Sequence, residues 1–260
     1  MIRLGRVDYI NTFPIAWSLA GHLPAGLAEE VVGVPTALNA LLHAGEVDVA
    51  NVSSVEYARH AEDYVLLPSL CVGSDGAVES VQLVTDRRID DVRTIAATAQ
   101  SASSVVLARV LLPHATILPE DADADARLLI GDQALRSAFE DPTPHHDLGR
   151  LWLERTGQPM VFAVWAAPEP VADGLLELQE QLVASVRIAR AEPEVLAREA
   201  SDRYGYPAGF LARYFEKLRY SFGPREREGF LTFLRMAQEV GELDSVPKLR
   251  FVDQETEVTL

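Results

Sequence analysis

The chain has 260 residues, 39 acidic against 23 basic, with one cysteine and 48% apolar residues. That apolar share supports a packed core, in one large domain or two lobes, and excludes wholesale disorder. A formal net charge of -16 excludes a nucleic-acid surface and a polybasic membrane anchor, both of which need clustered lysine and arginine.

From the N-terminus, alternation over residues 2–10 predicts a strand, followed by a loop at Asn11-Thr12-Phe13-Pro14 into a short helix. Residues 31–34 form a second strand, and Pro35 opens a helix with Leu38, Leu41 and Leu42 on one face, closed by Gly45. Residues 47–52 are a third strand. Ser53 and Glu56 then make a capping-box pattern for the next helix. This β-α-β-α succession predicts a mainly parallel sheet covered by helices. Strands at 65–72 and 78–85 flank the turn Gly73-Ser74-Asp75-Gly76. Alternation resumes with a strand at 94–98, a helix opened by Ser101-Ala102-Ser103-Ser104, a strand at 127–130 and a helix opened by Gly131-Asp132. A long apolar strand at 160–167 follows, and everything after Pro168 reads as helix, near 171–190, 194–204, 208–220 and 225–242. If 78–85 and 160–167 are crossover strands, residues 1–85 with 160–260 form one lobe and 86–159 the other, with a ligand in the cleft between them.

Cys71, inside the apolar run 66–72, reads as a buried small hydrophobe. No apolar stretch approaches the ~20 residues of a membrane helix, and the start lacks the pattern of an export signal, so the expected compartment is the cytoplasm. The sequence has no G-x-G-x-x-G after a strand, no P-loop, no G-x-S-x-G elbow and no H-E-x-x-H. His145-His146-Asp147 is the nearest approach to a metal cluster. Neighbouring histidines point to different sides, however, and Asp147 suits a helix start, so no metal is assigned. The alternating carboxylates of Asp121, Asp123 and Asp125 lack the glycine and terminal glutamate of a calcium loop and read as a solvated turn.

The remaining candidates sit at the ends of predicted parallel strands, where open α/β sheets place their sites. Tyr9, Asn11 and Thr12 follow the first strand, and Asn11 can donate and accept hydrogen bonds without charge. Ser53 and Ser54 open one helix; Ser101, Ser103 and Ser104 open another. Hydroxyls and free N–H groups at a helix start can hold an anion without any lysine, though ordinary capping explains the same residues. Two such clusters in opposite lobes favour a ligand with a carboxylate at each end. Asp132 follows a third strand, Ser80 lies in the first crossover strand, and Phe162 and Trp165 lie in the second.

Eight segments, in order over about 160 residues, resemble the chorismate dehydratases of the futalosine route to menaquinone. They are Asp-Tyr-Ile-Asn-Thr-Phe-Pro (8–14), Gly-Val-Pro-Thr-Ala-Leu-Asn (33–39), the stretch 45–58, Gly-Ala-Val-Glu-Ser-Val-Gln-Leu (76–83), Ser-Ala-Ser-Ser-Val-Val-Leu (101–107), and those at 128–135, 146–152 and 156–165. Departures fall at Asn51-Val52 and at Ala99-Gln100, just before two of the serine clusters. The resemblance implies a two-lobed α/β fold like the type II periplasmic binding proteins, with a helical C-terminal tail. It also implies removal of water from chorismate to give 3-[(1-carboxyvinyl)oxy]benzoate, without a cofactor. In that setting Asn11 orients the reacting hydroxyl or side-chain carboxylate, and the substrate's enolpyruvyl carboxylate takes the proton. Ser80, Ser103 and Ser104 hold carboxylates, while Asp132 polarises a hydroxyl or caps its helix. The expected partner is a small anionic substrate, with no nucleic acid and no membrane insertion, and a homodimer stays open.

Other readings stand beside this one. A transporter's solute-binding protein shares the implied fold but carries an export signal or lipoprotein cysteine near its start. A sister enzyme making a dihydroxynaphthoate would use a catalytic histidine, for which His145 and His146 are the candidates. A non-catalytic carboxylate sensor would keep the serines and lose turnover.

Overall fold

The computed structural model describes residues 1–98 and 101–252. Ala99 and Gln100, one of the two departures named above, lie outside the described residues. The described strands are β1 (Ile2–Val7), β2 (Ala28–Gly33), β3 (Val49–Ser53), β4 (Tyr64–Ser74), β5 (Val81–Val84), β6 (Thr94–Ala97), β7 (Thr116–Pro119), β8 (Ala126–Ile130), β9 (His145–Asp147), β10 (Met160–Pro168) and β11 (Leu218–Ser221).

They form two sheets. The first is six-stranded, in the order β11-β4-β10-β3-β1-β2, and the second is five-stranded, in the order β7-β6-β8-β5-β9. Within the first, β1 runs parallel to β2 and β3, while β10 is antiparallel to β3 and β4. In the second, β6 is parallel to β7 and β8, while β5 is antiparallel to β8 and β9. Parallel strands require crossover connections, and the chain supplies helices at Phe13–Ala16 and Leu19–His22 between β1 and β2, Pro35–His43 between β2 and β3, and Ala102–Leu111 between β6 and β7. The predicted α/β architecture is therefore present, with a sheet on each side of the expected cleft.

Several boundaries differ for physical reasons. The first strand ends at Val7, because Ile10–Thr12 turns into a short 3-10 helix stapled by the Thr12 hydroxyl to the Val7 carbonyl at 2.5 Å. The predicted crossover strand 78–85 pairs only over Val81–Val84, and wholly within the second sheet. We propose that the chain leaves the first sheet after Ser74 and returns to it at Met160. The C-terminal region is not purely helical. The helix predicted over 208–220 stops at Lys217, and Leu218–Ser221 adds an edge strand to β4. Pro68 lies inside β4, where a central strand should exclude it. The strand tolerates it because β10 skips this stretch, passing from Cys71 as partner of Val164 to Leu66 as partner of Ala166.

The apolar faces of both sheets are closed by buried aromatics. Trp152, on the helix Leu148–Thr156, meets Phe233, on the helix Pro224–Glu239, edge to face with ring centroids 5.9 Å apart. Cys71 is fully buried, and burial pushes its thiol well above the ordinary range, which makes it inert. No helix among the described residues is long and apolar enough to cross a membrane.

Candidate functional site

The C-terminal ends of β1, β2 and β3 share one edge of the first sheet, and each empties into a polar segment. β1 leads to Tyr9, Asn11 and Thr12. β2 leads to the helix carrying Thr36 and Asn39. β3 supplies Asn51 and ends at Ser53. From the second sheet, β8 ends at Ile130-Gly131, the segment before β5 brings Ser80, and the helix after β6 brings Ser101 and Ser104. All these residues line one solvent-connected cavity of about 170 Å³, floored by Phe162 and Ala163 of β10. Tyr9, Asn11, Thr12, Ser53, Ser80, Ser101, Ser104 and Phe162 are thus brought together as the sequence suggests.

The other candidates are elsewhere. Ser54 is fully buried and donates to the Val161 carbonyl at 2.7 Å, tying its helix to β10. Ser103 accepts from the Val55 amide at 3.2 Å, so it caps the facing helix across the cleft base. Trp165 is fully buried, opposite Asn51 in the β3–β10 register, and does not line the cavity. Asp132 accepts from the Ile10 amide at 3.2 Å, which fastens the second sheet's helix Gly131–Glu140 to the turn bearing Tyr9 and Asn11. In the His145–Asp147 trio two members have other partners. The His145 ring engages Ser137 and the Thr143 carbonyl, while Asp147 caps the next helix.

Among the cavity hydroxyls, Ser53 accepts from the Glu56 amide at 3.2 Å and keeps its own proton to give. Ser101 accepts from the Ser104 amide at 3.3 Å and donates to the Ser104 hydroxyl at 2.9 Å, so the Ser104 oxygen is used as an acceptor and its own proton is left to give. Two features fix Ser80. The preceding residue, Glu79, holds a left-handed backbone (φ 59°) and ion-pairs with Lys217. The Ser80 carbonyl accepts from the Gly131 amide at 2.8 Å, at a turn whose φ of 54° suits glycine.

Asn39, Asn51, Thr36 and Glu56 line the cavity although none was a site candidate in the sequence. Asn39 and Asn51 fall inside the segments of resemblance, yet an asparagine in a helix or strand carries no signal of its own. Their importance is visible only in three dimensions. Asn11 Oδ1, Asn39 Oδ1 and Asn51 Nδ2 are all shut from solvent and lack any hydrogen-bond partner. Buried polar atoms are normally satisfied, so three orphans on one cavity leave it with unmet hydrogen-bonding capacity. Among the described residues the lining contains no lysine, arginine or histidine, and Glu56 is its one carboxylate.

Burial raises the Asp132 carboxyl above the usual carboxylate range, against the pull of the Ile10 amide, and nearby Asp8 adds to the rise. Burial likewise raises the Tyr9 phenol, with the Asp132 charge second. For Asp132 the folded state holds its proton to higher pH than the unfolded chain, whose carboxyl titrates near ~3.9. Stability therefore falls as pH rises through the window from that value to the raised one, and stays lower above it. Asp132→Asn keeps an acceptor for Ile10 and removes this penalty. The variant should melt higher than the parent at pH 7, with the gap closing below about pH 4; a gap that does not change with pH would refute the assignment.

A family model described as menaquinone biosynthesis matches residues 2–239. The chorismate dehydratase of Thermus thermophilus is 34% identical over 234 residues, covering 77% of this chain and 83% of that protein. That of Campylobacter jejuni is 33% identical over 163 residues, covering 61% and 64%. Among solved structures, a structural-genomics protein from Archaeoglobus fulgidus superposes with a TM-score of 0.77 at 19% identity, over 92% of this chain and 97% of its own. The periplasmic aliphatic sulphonate binding protein of Escherichia coli gives 0.67 at 14% identity, over 98% and 94%. At such identities the structures speak for the fold alone, which is periplasmic-binding-protein-like. The sequence matches speak for more: with a family model spanning nearly its whole length, the chain belongs to the menaquinone-biosynthesis family.

Proposed function

We propose that the protein is a chorismate dehydratase, a carbon–oxygen lyase that removes water from chorismate to give 3-[(1-carboxyvinyl)oxy]benzoate. The observation that carries this reading is the cluster of unpartnered asparagine amides in a cavity lined by serines and free of basic side chains. Relatives of the same family bearing that name, at 33 and 34% identity, support it. A small dicarboxylate fits such a lining because hydroxyls and amides can bind anions while adding nothing to the positive charge count.

The chemistry asks little of the protein. Loss of the ring hydroxyl and of the hydrogen on the neighbouring carbon makes the ring aromatic, so equilibrium favours product. The site must align the hydroxyl, the proton acceptor and the two carboxylates. In our reading Asn11 orients the reacting hydroxyl, Ser53 and Ser80 lie toward one carboxylate, and Ser101 and Ser104 toward the other. The substrate's enolpyruvyl carboxylate accepts the proton from the ring carbon, the C–H electron pair becomes the new ring double bond, and the neighbouring C–O bond breaks; the departing hydroxide takes that proton back and leaves as water. Glu56 supports a second assignment of the base, since it is the single carboxylate of the lining. Glu56→Gln separates the two: with substrate as base, kcat stays within about 10-fold of the parent, whereas loss of a general base costs about 10²–10⁴-fold. A biosynthetic role of this kind fits a cytoplasmic enzyme.

The direct test is to incubate purified protein with chorismate and follow mass and absorbance. The expected result is a product lighter by one water, with new aromatic absorbance. Tight binding of unchanged chorismate would instead identify a sensor.

A further inference from the structure

Outside the cleft, the structure gathers three side chains from separate segments. His43 is the last residue of the helix Pro35–His43, His60 directly follows the helix Ser54–Arg59, and Asp63 lies in the turn before β4. One ligand atom from each lies within 4.8 Å of the other two. The imidazoles are 5.4 Å apart between centroids and inclined at 57°, so they do not stack face to face.

We infer that His43, His60 and Asp63 form a binding site for a borderline divalent transition metal, zinc above all. Two imidazoles and one carboxylate suit zinc, whereas magnesium and calcium prefer all-oxygen shells. Ligand atoms about 2.0–2.1 Å from zinc stand roughly 3.3 Å apart in a tetrahedron, so closure needs side-chain shifts on the order of 1 Å. His43 and Asp63 are exposed and His60 is only partly buried, which leaves room for such shifts.

Two further features favour a cation. Both histidines stand at helix C-termini, the negative ends of the peptide dipoles. The Glu56 carboxylate, 3.6 Å from His60 Nε2, adds negative charge beside the cluster. The buried Tyr64 ring packs beside His60, with its hydroxyl unpartnered.

The position suggests what the metal does. The two helices it would join carry Thr36 and Asn39, and Ser53 and Glu56, into the substrate cavity. A metal at their far ends would fix their spacing without entering the chemistry. The site stands or falls independently of dehydratase activity.

The test uses tag-free, EDTA-treated full-length protein, titrated with Zn²⁺ by calorimetry and with Co²⁺ by visible absorption. One equivalent should bind, with a tetrahedral Co²⁺ spectrum, and the melting temperature should rise by about 5 °C at a hundredfold excess over Kd. His43→Gln and His60→Gln should each weaken binding at least about 10-fold, while metal-free melting shows that the variants fold. Absence of binding would overturn the proposal, as would binding unchanged in both variants or Mg²⁺ binding as tightly as Zn²⁺.

Discussion

Asn11→Ala is expected to lower kcat for chorismate by about 10²–10³-fold, the loss typical of removing one preorganised polar group from a site where charge develops. Stability should move the other way. Asn11 Oδ1 is buried with no partner, so deleting it removes an unsatisfied group and breaks no bond. The backbone at this position is held separately, by the Tyr220 hydroxyl donating to the Asn11 carbonyl at 2.7 Å and by Thr12 stapling the turn. A melting temperature equal to or above the parent's, combined with collapsed turnover, is the signature of a polar group kept for function at a structural cost. Asn11→Asp sharpens the test. It is isosteric but places a second carboxylate in a cavity that already contains Glu56, so KM for a dianionic substrate should rise steeply. Full turnover by the alanine variant would remove Asn11 from the mechanism.

Asn11 was readable in the sequence because it stands at the end of a strand, in a loop where a polar residue is informative. Asn39 and Asn51 were not, since each sits within a regular element and only the absence of a partner in the folded chain distinguishes it. Ser54 and Ser103 show the converse. Both stand in serine pairs at helix starts, but a helix turns by about 100° per residue, so adjacent serines cannot face the same way. Ser53 and Ser104 look into the cavity, while Ser54 and Ser103 look back toward Val161 and Val55. The elements missed, β7, β9 and β11, are edge strands of three or four residues, too short for alternation to register. β9 and β11 each depend on a partner distant in sequence, β5 and β4. A net charge of -16 bears on broad polyanion surfaces, whereas a cavity lined by hydroxyls and amides does not enter that count.

Asp147→Ala is expected to be the most destabilising polar substitution in the chain, by about 3–5 kcal/mol, because one carboxylate satisfies donors from several elements. Asp147 was legible as a helix cap, and it does accept from the Arg150 amide at 3.0 Å. It also accepts from the Val78 amide at 3.0 Å, the Glu79 amide at 2.6 Å and Gln82 Nε2 at 2.9 Å. Val78 and Glu79 lie in the segment through which the chain passes from β4 to β5, and Gln82 lies in β5 itself, so Asp147 secures that passage to the helix Leu148–Thr156. Glycine at 149 belongs to the same arrangement, since a Cβ there would stand 2.6 Å from the Gly76 carbonyl oxygen. The cap alone is worth about 1 kcal/mol, and each amide left buried without an acceptor adds roughly 1–3 kcal/mol. Asp147→Asn should recover only part of the loss, because its NH₂ group would face amide donors where an oxygen now accepts. Ser80, next in the chain to Glu79, should lose its position in the cavity, so KM for chorismate should rise in whatever fraction remains folded. Urea unfolding at pH 7 measures the first effect and steady-state kinetics the second. A stability loss under about 1 kcal/mol would mean that Asp147 is no more than a helix cap.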